Sequence, residues 1–108
     1  MGKYRSRLQI IADVLSATAN GAKKVHIMFR ANLSYELLCR YLADVMDAGL
    51  VCCEENLSLY KLTQDGREFL ERFHEYSRRY NKLRDQLDDV NNEKIALKKM
   101  VDGGSRER

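Results

Sequence analysis

Large apolar side chains return at steps of four and three along the rear of the chain: Phe69, Phe73, Tyr76, Tyr80, Leu83, Leu87, Val90, Leu97 and Val101, with Lys94 the single charged member of the series. A stripe with a 3.5-residue repeat, sustained over roughly four heptads, is too narrow to serve a globular core and predicts a coiled coil with a second helix. Ahead of it the pattern is shorter in range. Residues 5–19 place Leu8, Ile11, Val14, Leu15 and Thr18 on one helical face, and Asn20-Gly21 is a stop signal. Lys24–Arg30 predicts a short second helix carrying Val25, Ile27, Met28 and Phe29, and Ala31-Asn32-Leu33 follows as a tight connector whose Asn32 tolerates a left-handed backbone. Ser34 has the chemistry of an N-cap, with Glu36 in the first turn of a third helix. That helix faces inward with Leu38, Tyr41, Leu42, Val45 and Met46 and ends at Gly49.

The period then changes to extended. Residues 50–54 and 57–62 are strand-like and Glu55-Asn56 forms the turn between them, which predicts a short hairpin. Thr63 caps the last helix, and Gly66 in its first turn, despite a helix-propensity cost of about 1 kcal/mol, points to close approach against the first helix or the hairpin. From Gln64 to about Val101 nothing else breaks the helical pattern, and residues 103–108 are polar and glycine-rich, as expected of a flexible tail. The expected organisation is therefore mainly α: a head over residues 1–63, a dimerising helix over 64–102 and a tail over 103–108.

Helix, helix, tight turn, helix and hairpin in that order make a winged helix-turn-helix head, here followed by a long C-terminal coiled-coil helix. The stretch Ile27-Met28-Phe29-Arg30-Ala31-Asn32-Leu33-Ser34-Tyr35, then Arg40-Tyr41, then Tyr60-Lys61-Leu62-Thr63 with Gly66, resembles the archaeal ten-kilodalton winged-helix DNA-binding proteins of the Sso-ten-a type. The resemblance spans nearly the whole chain. It implies a homodimer joined by an antiparallel coiled coil, binding of double-stranded DNA with little sequence preference, and a place in chromatin or transcription regulation.

Charge can be weighed without that resemblance. A helix entering the major groove needs donors near its N-terminal end, and the third helix offers Ser34, Tyr35 and Arg40. Arg40 alone is a strong base reader, and an i,i+4 pair with Glu36 competes for it. Glu36, Asp44 and Asp47 repel phosphate, which favours shallow, weakly specific contact. Cations gather instead at Lys3, Arg5 and Arg7 before the first helix and at Lys23, Lys24 and Arg30 around the second, where they can hold phosphates without reading bases; for each residue singly, ordinary solvated charge is an equal explanation. With roughly four contacts per head, two heads on DNA give a salt slope of about −7. Glu54 and Glu55 at the hairpin tip disfavour a tip contact, and Lys61 on the return strand is the better wing candidate. Tyr4 and Tyr35 serve packing or sugar contact.

The seam also has an orientation. Parallel pairing stacks Lys94 on its own copy and sets Arg79 against Arg84. Antiparallel pairing centred near Asp85 sets Lys94 beside Tyr76, Leu87 beside Leu83 and Arg79 beside Glu93, with Arg84 meeting its own copy as a residual repulsion. A helix of about 38 residues is about 57 Å long, against about 34 Å for a turn of DNA, so two heads can contact one bent duplex or bridge two.

Composition narrows the field further. A net charge of +3 over 108 residues permits nucleic-acid binding. Cys39, Cys52 and Cys53 form no CxxC pair, and His26 and His74 stand at no zinc-ligand spacing from them, so neither a metal nor another cofactor is expected. No apolar run approaches a membrane span and the start lacks a secretory pattern, so a cytoplasmic protein without membrane or small-molecule partners is expected, and the family resemblance implies that it is nucleoid-associated. With no phosphate loop and no nucleophile beside a base, an enzyme is not expected. Two alternatives stay open: a sequence-specific transcription regulator on the same fold, and a protein-interaction module without nucleic acid.

Overall fold

The computed structural model describes residues 5–106 and divides into two units, Met1–His74 and Glu75–Arg108. Elements run α1 (Arg7–Ala17), α2 (Lys24–Ala31), α3 (Tyr35–Asp47), β1 (Val51–Glu54), β2 (Leu59–Leu62) and α4 (Gln64–Arg106).

In the first unit each helix starts and stops where side-chain chemistry dictates. The Ser6 hydroxyl accepts the Gln9 N–H and opens α1 two residues later than the pattern suggested. Asn32 closes α2 in the left-handed region (φ 55°), with its own N–H donating to Phe29 and that of Leu33 to Met28. The Ser34 hydroxyl then takes the Leu37 N–H at 3.2 Å and starts α3. Gly49, at φ +77°, turns the chain out of α3 as Leu50 N–H reaches back to Val45. β1 and β2 pair antiparallel, Val51 with Leu62 through Glu54 with Leu59. Their connection is longer than the expected two residues: Glu55 to Ser58 form it, and Ser58 takes φ 52° to close it.

The core lies where α1, α2, α3 and the hairpin converge. Val14, Leu15, Ile27 and Leu38 are fully buried, and Leu42, Val45, Val51 and Leu62 nearly so. At about 1.5–3 kcal/mol for each large side chain fully withdrawn from water, these positions supply most of the drive to fold. Thr18 is buried beside them and satisfied: its hydroxyl donates to Leu15 O, and its carbonyl accepts from Gly21 and Leu62. A bridge absent from the sequence pattern joins the sheet to the helices. Ala22 and Tyr60 exchange both backbone hydrogen bonds, at 3.0 and 2.8 Å.

Two positions of the expected apolar faces meet water, Leu8 at 43% exposed and Met46 at 38%, and on α2 Val25 is 57% exposed and Phe29 73%. The reason is angular: α3 buries the arc centred on Leu38, Leu42 and Val45, and Met46 lies about 80° round from Leu38 at 100° per residue. In α2 only Ile27 and Ala31 are fully withdrawn from water, while Met28 is half-buried, so Val25 and Phe29 occupy the outer side.

The start of α4 belongs to this first unit. Thr63 Oγ1 accepts the Gly66 N–H at 3.0 Å and donates to Gly49 O at 2.7 Å, so one hydroxyl caps α4 and straps it to the end of α3. Phe69 packs half-buried against the core and stacks on Phe73 at 6.4 Å, and Phe73 is only 8% exposed within a single copy. Both had been assigned to the dimer seam. The same four-residue step that suits a coiled coil suits one helix face covering a globular core, and here the head takes them.

The second unit is the remainder of α4, which continues unbroken through Gly103 to Arg106 where a tail from residue 103 was expected. Residues 107–108 lie outside the described residues. Along it Tyr76, Tyr80, Leu83, Leu87, Val90, Leu97 and Val101 are 52–70% exposed. No helix of the described residues is long and apolar enough to cross a membrane.

Candidate nucleic-acid interface

The connector Ala31–Ser34 brings the two ends of α2 and the start of α3 into one surface, and the Ala22–Tyr60 bridge adds the hairpin to it. Lys24 sits at the centre. Its ammonium lies 5.6 Å from the centroid of the Tyr35 ring, a cation–π distance. Tyr60 foremost, then Tyr35 and Cys39, hold this lysine above its ordinary pKa, because each is a group that can turn negative beside it. Burial pushes the Tyr60 phenol up in turn, against the pull of Lys24, and the neighbouring Cys53 thiol adds to the rise. At neutral pH the arrangement is therefore a lysine cation beside the neutral Tyr60 phenol and over the Tyr35 ring. Sequence reasoning had not assigned Tyr60 or Cys53 to the site. The available signal was strand alternation, which puts Tyr60 and Leu62 on the face opposite Leu59 and Lys61.

The other expected cations divide into free and engaged. Lys3 and Tyr4 lie outside the described residues. Arg5 is engaged: its guanidinium reaches Asp13 and the Ala31 carbonyl at 2.7 Å each and the Asn32 carbonyl at 3.0 Å, pinning the front of α1 to the end of α2. With its fork engaged by these acceptors, Arg5 acts as a clamp within the fold. Arg7 pairs with Asp44 at 3.1 Å, so the α3 carboxylate expected to repel phosphate is neutralised by the α1 cation expected to attract it. Lys61 pairs diagonally across the hairpin with Glu54 at 2.9 Å, and the hydrogen bond and charge of that carboxylate raise its pKa.

Lys23, Arg30 and Arg40 are exposed. Among the described residues no ion pair joins Glu36 to Arg40, so the competing helix pair does not claim the one strong base reader. Ser34 and Tyr35 are also exposed, although the Ser34 oxygen already serves its cap. Of the expected site residues the structure brings Lys24 and Tyr35 together, while Lys23, Arg30, Ser34 and Arg40 are exposed on or beside the same two helices. Among the described residues no group of three or more histidines, cysteines and acids is placed to hold a metal.

Comparison with known proteins agrees with this architecture. Comparison with curated proteins finds no relative. Among solved structures, Sso10a-2, a DNA-binding protein from Sulfolobus solfataricus, superposes with a TM-score of 0.73 at 17% identity, over 82% of this chain and 95% of that one. At that identity the likeness is one of fold. The family model for the winged helix-turn-helix matches residues 4–81, the whole head and the first turns beyond it. With its three helices, capped turn and hairpin wing accounted for residue by residue, the chain belongs to the winged helix-turn-helix family.

Proposed function

We propose that this protein is a non-enzymatic, homodimeric DNA-binding protein that holds double-stranded DNA mainly through phosphate contacts, with low sequence specificity, in an architectural or regulatory role in the cytoplasm. The observation that carries the reading is the composition of the α2–α3 surface. Lys23, Lys24, Arg30 and Arg40 are cationic and outward, while Glu36 and Asp47 on α3 are exposed acids that discourage deep insertion into a groove. Roughly four contacts per head survive the loss of Arg5 and Arg7 from the set. The expected salt slope therefore remains about −3.6 for one head and about −7 for two. That a Sulfolobus protein of the same fold is a DNA-binding protein supports the choice of partner.

Dimerisation is supported by the second unit. Seven large apolar side chains at a/d spacing stand more than half exposed along α4, a stripe that water does not tolerate over such a length. Antiparallel pairing fits it better than parallel, which would stack Lys94 on its own copy. Because the head precedes the helix in the chain, such a pair carries its two heads at opposite ends of the paired helices and can bridge DNA.

The test is a salt-titrated binding assay on random and genomic DNA, run beside sedimentation of the free protein. A steep linear loss of affinity with log salt, equal on both DNAs, together with a dimer mass, is expected. One strongly preferred palindrome would select the sequence-specific regulator instead, and no salt-sensitive binding at micromolar protein would select a protein-interaction module.

A further inference from the structure

Burial of Phe73 fixes more than the edge of the head. The seam that remains for a second copy runs from Tyr76 to Val101, and this shorter seam has its own best alignment. Pairing centred at Asp85 uses Phe73 opposite Leu97 and Phe69 opposite Val101. Yet Phe73 is 8% exposed and Phe69 is half-buried on the core of its own head. Leu97 and Val101, 55% and 70% exposed, would lose their partners there.

We infer that the two copies pair antiparallel about a twofold axis between Asp88 and Asp89, half a heptad beyond Asp85, an inference that rests on the dimer proposed above. Tyr76 then faces Val101 of the second copy, Tyr80 faces Leu97, Leu83 faces Lys94 and Leu87 faces Val90. Every apolar a/d position of the second unit gains a large partner. The Lys94 stem lies over Leu83 while its ammonium reaches water. Flanking positions change too: Arg84 meets Asn91 and no longer its own copy, and Gln86 meets Glu93. What is given up is the exposed pairing of Arg79 with Glu93, and Arg79 already has a carboxylate in its own helix, Glu75 at 3.2 Å.

The test places a single nitroxide on the outer face of α4, at Asp85→Cys, Asn92→Cys or Lys99→Cys, with Cys39, Cys52 and Cys53 replaced by serine, and reads the distance between labels in the dimer. At 1.5 Å per residue the axial separation is about 10 Å for both Asp85 and Asn92 and about 31 Å for Lys99, on top of one shared lateral offset. Matching distances at the first two sites with a longer one at the third are expected. A minimum at Asp85, with an axial separation of about 21 Å at Asn92 making that distance clearly longer, would overturn the alignment while keeping the dimer. Equal distances at all three sites mean a parallel pair and also overturn it. No dipolar signal at any site means no dimer, and the proposed function fails with it. With the native thiols intact, Val101→Asp should weaken dimerisation by at least about tenfold. An unchanged dimer constant would place Val101 outside the interface and refute the alignment.

Discussion

Gly66 and Gly103 lie in the same helix, and adding one methyl group to each should have opposite effects. A Cβ at Gly66 would stand 2.3 Å from the Leu50 carbonyl oxygen and 2.5 Å from Leu62 Cδ1. The first of these is backbone, and it is the oxygen that accepts the Thr63 N–H at 3.1 Å, so it cannot retreat without loosening the strap between α3 and α4. Overpacking of this kind costs about 1–3 kcal/mol, and a strained hydrogen bond adds about 1 kcal/mol. Against this, alanine recovers about 1 kcal/mol of helix propensity. Gly66→Ala should therefore destabilise by about 1–3 kcal/mol. At Gly103 a Cβ meets nothing within 4 Å. There the propensity gain stands alone, and Gly103→Ala should stabilise by up to about 1 kcal/mol, less in proportion as the helix end frays. Urea unfolding followed by circular dichroism at one fixed protein concentration measures both, the fixed concentration removing the contribution of association. A Gly66→Ala variant as stable as the parent would refute the close-approach argument.

Lys24→Ala should weaken binding to random and genomic DNA alike and reduce the salt slope by about 0.9 per head engaged, whereas Arg5→Ala should leave the slope unchanged. Arg5→Ala should instead lower head stability by about 1.5–3 kcal/mol, read by urea unfolding, because two backbone carbonyls and Asp13 lose a charged donor. Leu87→Asp should yield a monomer by sedimentation with the helix content of the head retained, since Leu87 makes no part of the head's core.

The head was legible because its boundaries are set by local chemistry. Ser34, Asn32, Gly49 and Thr63 each act within a few residues of themselves, and each does in the structure what its type allows. The close approach at Gly66 was legible for the same reason, an otherwise unfavourable glycine in a helix start. Boundaries fixed by tertiary contacts were not. Phe69 and Phe73 share one spacing with Tyr76 and Tyr80, and only the position of the core decides which pair the head absorbs. Arg5 and Arg7 counted as free charge because their acceptors, Ala31, Asn32 and Asp44, are brought near by the packing of α1 on α2 and α3 and not by sequence distance. Tyr60 was passed over because the bridge that places it beside Lys24 joins residues far apart in the chain.

That bridge has a mechanical consequence. Two backbone bonds rivet Tyr60 of the hairpin to Ala22, two residues ahead of Lys24, so a hinge motion of the wing drags the front of α2 with it. Hairpin and helix start are thereby joined as one piece, and a partner docking on the proposed surface would meet Tyr60 and Lys24 at a spacing set by backbone bonds.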